Sequence, residues 1–458
     1  MQLVAYGAQD VYLTGNPKVT FFQAVYKRHT NFAMEVIEQT VNGSAGNDGR
    51  LSVTIARNGD LIGDMFLELS SNTSLVSYAG STSSAQLSGC WAAERAIKDI
   101  ELTIGGQRID KHYQIWWRLY SELYLTADKK ENYAKLTTDA SGGTSTRGSH
   151  QVYLPLLFFF NRNPGLYLPL IALQYHEVRL DFDLASEFTL YHSTSGIHVW
   201  GNYVYLDTEE RRRFAQKGHE YLIEQVQHTG SDSVTVSATS TQQKQVRLSY
   251  NHPVKELIWA YNNGSSTGNG LWNFTSNLLT SNAVMLESST RPYGTFASNV
   301  VTLSPLGCSA GVPQFLGGAL LGTVGASSSV STCQWIEDGL AYNGGVIANM
   351  SCGPLSSFKL ILNGQDRFKE QSGKYFNQVE PFMHHTGNPY PGIYSYSFAL
   401  KPEEHQPTGT CNFSRIDNAQ VQVTMKAGVL DNTAQWMFAV NYNVLRIQSG
   451  MGGLAFSN

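Results

Sequence analysis

Asp181 and Asp183 stand two positions apart in Val178-Arg179-Leu180-Asp181-Phe182-Asp183-Leu184, so a strand there sets both carboxylates on one face. Paired carboxylates about 5 to 10 Å apart are what glycoside hydrolysis requires. The regular apolar–polar alternation favours a plainer reading, a half-buried strand whose acidic face meets solvent. His384-His385 is the only histidine doublet, but no cysteine or carboxylate stands at a useful metal-ligand spacing, so it reads as a loop pair. Arg415 and Asp417, in Ser414-Arg415-Ile416-Asp417-Asn418, read as fixing a strand or loop rather than as acid–base groups. Gly105-Gly106 follows a β-type run and opens no helix, which suits a turn and not a phosphate cradle. There is no G-x-S-x-G and no H-E-x-x-H. The chain therefore reads as a non-enzyme, with no catalytic, cofactor-binding or metal-binding residue nominated. Modification chemistry is the remaining candidate: Asn-x-Ser/Thr sequons occur at Asn42, Asn72, Asn263, Asn273, Asn349 and Asn412.

The elements around these residues are mostly short strands. Val421-Gln422-Val423-Thr424-Met425-Lys426 alternates as the Asp181 segment does. Gly105-Gly106 and Asn363-Gly364 both supply positive φ for two-residue hairpin turns. Ile115, Trp116, Leu119, Tyr120, Leu123 and Tyr124 recur at helical spacing and predict one helix, its aromatic stripe serving as a core seal. The strongest apolar stretches, 153–160 and 166–173, are split by Asn161-Arg162-Asn163-Pro164-Gly165 and fall short of the roughly 18 residues of a membrane span. They predict two buried strands around a turn.

Charged residues are 15% of the chain against 42% hydrophobic, well below the roughly 25% charge of ordinary domains. The surface must be largely neutral and polar, and such a surface loses little when neighbours cover it. A net charge of −4 argues against a chain that neutralises many phosphates. Arg211-Arg212-Arg213 follows Glu209-Glu210 and reads as a locally compensated linker or domain contact. The cysteines at 90, 308, 333, 352 and 411 form no dense framework, so reduced thiols are expected, although Cys333 and Cys352 are free to meet in the fold. Met1-Gln2-Leu3-Val4 lacks the features of a secretory signal and the glycine needed for myristoylation.

One pattern runs through the chain twice in the same order. Val36-Ile37-Glu38-Gln39 returns as Leu222-Ile223-Glu224-Gln225, and Asn58-Gly59-Asp60-Leu61 loosely as Asn251-His252-Pro253-Val254. Ile104-Gly105-Gly106-Gln107-Arg108 returns as Leu362-Asn363-Gly364-Gln365-Asp366-Arg367. Phe158 is echoed by Phe398, and Asn202-Tyr203-Val204-Tyr205-Leu206 by Asn441-Tyr442-Asn443-Val444-Leu445. Ordered repetition implies two similar domains in tandem. The anchors lie much farther apart between 251 and 364 than between 58 and 106, so the second copy carries a long polar insertion, about 260–350. The predicted class is all-β, two tandem eight-stranded jelly rolls with long loops and a short helical insertion. The divisions are an arm (1–25), jelly roll 1 (26–207), a linker (208–218) and jelly roll 2 (219–458).

Longer motifs now carry a resemblance. Tyr6-Gly7-Ala8-Gln9-Asp10-Val11-Tyr12-Leu13-Thr14-Gly15-Asn16-Pro17 leads to Val25-Tyr26-Lys27-Arg28-His29-Thr30-Asn31-Phe32. Leu168-Pro169-Leu170-Ile171-Ala172-Leu173-Gln174-Tyr175-His176-Glu177-Val178 and Pro407-Thr408-Gly409-Thr410-Cys411-Asn412-Phe413 follow. The chain closely resembles the major capsid proteins of large icosahedral double-stranded DNA viruses, the nucleocytoplasmic large DNA viruses, especially the phycodnavirus and chlorovirus-like branch. The likeness spans nearly the whole chain and fades in the polar loops, chiefly 70–90, 136–150 and 260–350. It implies a double jelly roll, a homotrimeric capsomer that imitates a hexagonal tile, and a place in the virion shell after assembly in the host cytoplasm. The partners it implies are the chain itself, neighbouring capsomers, minor capsid and vertex proteins, and inner membrane-associated components reached through the arm. No direct genome binding is expected. Glycans on outer loops fit the resemblance, although sequons are a poor guide to their positions. A carbohydrate-binding lectin, a β-sandwich glycoside hydrolase and a minor capsid or spike protein are the alternatives.

Overall fold

Strands that alternate apolar and polar residues bury one face each, and a second layer must cover it. The computed structural model describes residues 7–71, 91–137, 151–234, 240–262, 313–316, 319–323, 353–387, 389, 392–426 and 433–456, and shows this solution reached twice. In the first unit a helical turn α1 (Val11–Thr14) precedes β1 (Phe32–Gln39), β2 (Val41–Gly43), β3 (Arg50–Thr54) and β4 (Leu61–Ser71). Then come α2 (Ala92–Arg95), β5 (Ile97–Ile104), β6 (Gln107–Tyr113), α3 (Gln114–Tyr124), α4 (Ala127–Thr137), β7 (Gln151–Pro155) and α5 (Phe159–Arg162). The unit closes with β8 (Leu168–Pro169), β9 (Val178–Leu184), α6 (Phe188–Tyr191) and β10 (His192–Leu206).

Helix α7 (Thr208–Gln216) leads to β11 (His219–His228), β12 (Asp232–Val234), β13 (Gln242–Leu248) and β14 (Pro253–Asn262). A hairpin of β15 (Pro313–Leu316) and β16 (Ala319–Thr323) lies within the predicted long loop, the rest of which falls outside the described residues. Next are β17 (Leu355–Leu362), β18 (Gln365–Asp366), β19 (Gln371–Ser372), a π-turn Tyr375–Val379, α8 (Glu380–His384) and β20 (Ile393–Ser397). The chain continues through β21 (Cys411–Asn412), β22 (Ala419–Met425), β23 (Thr433–Gln448) and β24 (Met451–Leu454).

The sheet orders match between the units. β1-β10-β4-β7 has its counterpart in β11-β23-β14-β20, and β3-β9-β5-β6 in β13-β22-β17-β18. Short β8 pairs with the start of β4 as β21 pairs with the start of β14, so Leu61 corresponds to Pro253 and Phe66 to Ile258. Cross-strand partners carry the correspondence outward: Trp200 opposite Phe66 matches Phe438 opposite Ile258, and Glu38 opposite Trp200 matches His228 opposite Phe438. Val36 therefore corresponds to Val226 and Met34 to Glu224. The sequence match of Val36–Gln39 to Leu222–Gln225 finds the right strands out of register.

Each unit has its own core. In the first, Met65, Leu67 and Leu69 of β4 face Ile100, Leu102 and Phe182. In the second, Trp259 of β14 stacks on Phe358 of β17 at 4.4 Å between ring centroids. The Gly105-Gly106 turn has φ of +57° and +82°, and Asn363-Gly364 has +52° and +77°, the left-handed pair that a two-residue hairpin needs.

Three expectations are corrected. The segments 153–160 and 166–173 are buried, but strand persists only over β7 and the two-residue β8; the Phe159–Arg162 run coils into α5, because a buried apolar run suits helix as well as strand. The linker 208–218 is mostly helix α7, opened by Thr208, Glu209 and Glu210 as acidic first turns are. The predicted helix is present as α3, but a second, α4, packs beside it, so the helical insertion is larger than expected.

Candidate functional site: a charged seam and two open faces

A sheet whose two faces are both apolar needs two covering layers. The outer face of β11-β23-β14-β20 presents Ile258, Ala260, Ile393, Phe438 and Val440, all buried and all continuous with the first unit's core. The cover is β6 and α3: the Phe438 ring lies 6.2 Å from Tyr113 and 5.5 Å from Trp116. The α3 aromatic stripe thus does more than seal its own unit. Its far end, with Tyr120 and Tyr124 stacked at 4.7 Å, lies along the seam.

Charge is buried in the same seam. Glu224 of β11 accepts hydrogen bonds from Lys255 Nζ at 2.7 Å and from Arg162 of α5, in the other unit, at 3.0 Å. Lys255 is fully buried. Burial pushes the Glu224 carboxyl up, but the Arg162 and Lys255 cations outweigh it and hold the group below its ordinary value. Burial pulls the Lys255 ammonium down, against Glu224.

His385 forms a second centre. It follows α8, its ring nitrogens lying 3.2 Å from Glu256 and 3.3 Å from Glu403, with Tyr124 of α3 packed edge-on at 5.3 Å. Burial disfavours its charge, yet Glu256 and Glu403 lift its pKa to about 9. Gly387 N then donates to Leu123 O at 3.0 Å, satisfying a carbonyl at the end of α3. The doublet is no loop ornament, as its sequence context suggested: His384 ends a helix, and His385 is buried between Glu256 and Glu403 of its own unit with its ring against Tyr124 of the other. The C-terminal strand adds a strap. Leu454 N donates to Gln107 Oε1 at 3.1 Å, and His176 Nδ1 lies 2.8 Å from Gly452 O.

The other sequence candidates have quieter settings. Asp181 is bonded by Arg179 at 2.7 Å and Asp183 lies 3.6 Å from Arg50, so both carboxylates sit in ion pairs on a sheet face. Arg415 and Asp417 are exposed beside a 3-10 turn. Asn42 is exposed on β2; Asn412 is exposed too, with Oδ1 accepting from Ser414 N. Asn72, Asn263, Asn273 and Asn349 lie outside the described residues, as do Cys333 and Cys352; Cys411 is a free thiol. Beside the seam a cleft of about 580 Å³ is lined by Asp99, Tyr113, Tyr191, His228 and Trp436, among others.

Among the described residues, three exposed regions are notably apolar. In the first unit, the sheet face equivalent to the buried one carries Phe32, Met34 and Val36, each about half exposed at 47–51%. On the second unit Val379, Phe382, Met383 and Leu400 are exposed together around α8, with Phe382 at 88%. The arm ahead of β1 displays Tyr12, Phe21, Phe22 and Tyr26 to solvent. Grouped exposed apolar residues are the usual mark of an interaction surface.

Comparison with known proteins agrees. Residues 20–207 match the model of the major capsid protein N-terminus, and 210–453 that of the large eukaryotic DNA virus major capsid protein. The chain is 43% identical over 488 residues to the major capsid protein of Paramecium bursaria Chlorella virus 1, covering 100% of this chain and 99% of that one. It is 40% identical to the major capsid protein of Phaeocystis pouchetii virus, with the same coverage. A solved PBCV-1 virus capsid structure superposes with a TM-score of 0.71 at 37% identity, over 96% of this chain and 100% of that one. The Faustovirus major capsid protein superposes at 0.64 with 13% identity, over 97% and 94%, a likeness of fold alone. The sheet topology thus resembles the jelly-roll capsid fold, and the chain belongs to the family of large eukaryotic DNA virus major capsid proteins, as a structural protein of the icosahedral virion shell.

Proposed function

We propose that the chain is a double jelly roll that assembles as a homotrimer, and that this pseudo-hexagonal capsomer tiles the shell. The observation that carries the reading is the recurrence of one sheet order in both units. Three copies then present six similar wedges, and a threefold object occupies a sixfold position. Closed threefold symmetry requires a heterologous interface that returns on itself, and stable assemblies of this kind bury upward of roughly 2,000 Å². The exposed apolar faces supply candidate area.

In this reading the arm lies on the inner side of the shell and meets minor capsid, vertex or membrane-associated components, and neighbouring capsomers meet around the trimer. Assembly takes place in the host cytoplasm. The role is structural rather than enzymatic, which fits the pairing of Asp181 and Asp183 with arginines. Outer loops carry any glycans, with Asn42 and Asn412 the exposed sequons among the described residues. Native mass of the purified protein tests the reading: a trimer forming hexagonal arrays under the electron microscope is expected. A monomer with saturable sugar binding, for which the cleft beside Trp436 would be the place, would favour the lectin alternative. Copy number in the particle separates a major from a minor shell protein. Removing residues 1–20 is expected to leave trimers intact and hinder shell assembly.

A further inference from the structure

The two open faces are the two halves of a contact that the chain already makes internally. Inside the molecule, β6, α3 and α5 of the first unit cover the outer face of β11-β23-β14-β20. Each side of that contact has a counterpart in the other unit, and among the described residues both counterparts are largely open, although Val204, opposite Met34, is buried with Tyr167 and Phe214 at one end of the first. On one side, Phe66, Trp200 and Val36 correspond by register to buried Ile258 and Phe438 and partly buried Val226; Phe66 and Trp200 remain partly exposed and Val36 half exposed. On the other, carrying on from His112 opposite Ile100, and from Gln371 opposite Phe358, brings Tyr124 of α3 to exposed Met383 of α8, next to Phe382. Counting on from Pro155 opposite Phe66, and Ser395 opposite Ile258, brings Arg162 of α5 to Pro402, beside exposed Leu400. His384 Nδ1 lies 3.1 Å from Leu400 O, so α8 and Leu400 form one patch.

Resting on the trimer reading, we propose that the junction between copies repeats the internal seam. The patch around Phe382, Met383 and Leu400 of one copy covers the β1-β10-β4-β7 face, at Phe32, Met34 and Val36, of the next. Each wedge around the ring is then covered by its predecessor in the same way, alternately within a chain and between chains. A heterologous contact of this kind closes when its rotation divides the circle. The occupant is a second copy of this chain because its own unit supplies the template for the fit. The chemistry differs in one respect. Met34 stands where the seam has Glu224, and Pro402 where it has Arg162, so the copy-to-copy junction is apolar where the internal one is ionic.

The test uses the full chain. Phe382→Asp and Met34→Asp place a charge at opposite sides of the junction, on side chains exposed enough that the monomer fold is unaffected. Each is expected to weaken self-association roughly thirtyfold or more, as loss of an apolar anchor does. Unfolding midpoint and circular dichroism of the monomer should not change. In parallel, Met34→Cys combined with Leu400→Cys, treated with a short bismaleimide, should give a covalent trimer, whereas each single variant should behave as the parent does with its own five cysteines. If the parent is a trimer while both Asp variants remain trimeric and the double-cysteine chain does not cross-link, the assigned faces are wrong and the trimer reading stands. If the parent itself is monomeric at every concentration, both are wrong.

Discussion

One sheet face occurs twice in this molecule, once sealed and once largely open, and the residues that differ between the copies would, if a second copy covers the open face as proposed, separate permanent contact from reversible contact. In the second unit the face holds Glu224, held by Lys255 and Arg162, and Glu256, which faces His385. In the first it holds Met34 and, at the place of Glu256, Asp64, bonded by its own neighbour Tyr167 at 3.2 Å. Buried charges add specificity of fit at a desolvation cost, and they are intolerant of a missing partner. A junction within one chain always has its partner. A junction between chains has to exist unpaired before assembly, and apolar residues tolerate that state better than an uncompensated ammonium would.

The sharpest way to break this comparison is at Glu224. Glu224→Leu leaves Lys255 and Arg162 facing each other without the carboxylate that both bond, and the expected loss is about 3–5 kcal/mol in denaturant unfolding. Met34→Leu at the equivalent place in the open face should be neutral within about 0.5 kcal/mol for the monomer. Similar losses at both sites would mean that the two faces are not chemically distinct.

Next in size is pH. The folded pKa of His385, about 9, lies above its ordinary 6.5. Its stabilisation is therefore full below about 6.5 and disappears as pH rises through 9, an effect on the order of 3 kcal/mol. Glu224, held below its ordinary value, acts at the other end: its contribution is present above 4.5 and is lost on acidification through its lowered pKa. Thermal unfolding followed from pH 6 to 10 should show the alkaline loss, and His385→Gln should flatten it. An unchanged slope in that variant would remove His385 from the seam's energetics.

Smaller again is the contrast between the hairpin turns. Gly105 is close against the His176 ring, which holds Gly452 of the strap, whereas Asn363 already carries a side chain at the same left-handed position. Gly105→Ala should cost about 1–3 kcal/mol through strain and the displaced ring. Asn363→Ala should cost about 1 kcal/mol or less, the value of its Oδ1 bond to Asn418 N. Chemical unfolding of both variants measures the difference; equal losses would show that His176 does not depend on the bare turn.

These contrasts explain what could be read in the amino-acid order. Turn residues such as Gly105-Gly106 and Asn363-Gly364 are local and announce themselves, so the ordered repetition was legible, whereas the order of strands within each sheet was not. Register was not, because Val36–Gln39 resembles Leu222–Gln225 by residue type while pairing is decided by neighbours on β10 and β23. The helix at 208–216 had its signal in Thr208-Glu209-Glu210, overshadowed by the arginines that follow. The seam had no local signature. Arg162, Glu224, Lys255 and His385 come from four distant segments, and each alone resembles a solvated charge. Only the fold reveals that Lys255 is out of water.

The strap at β24 has one further implication. Leu454 reaches Gln107 across 347 positions, so a contact that closes the first unit is supplied by nearly the last stretch described. Units emerging from the ribosome fold in order, and contacts between remote positions form late. A chain that stops early would keep the sheets of its first unit yet leave Gln107 and His176 bare. The second unit in this way finishes the first, before any neighbour is met.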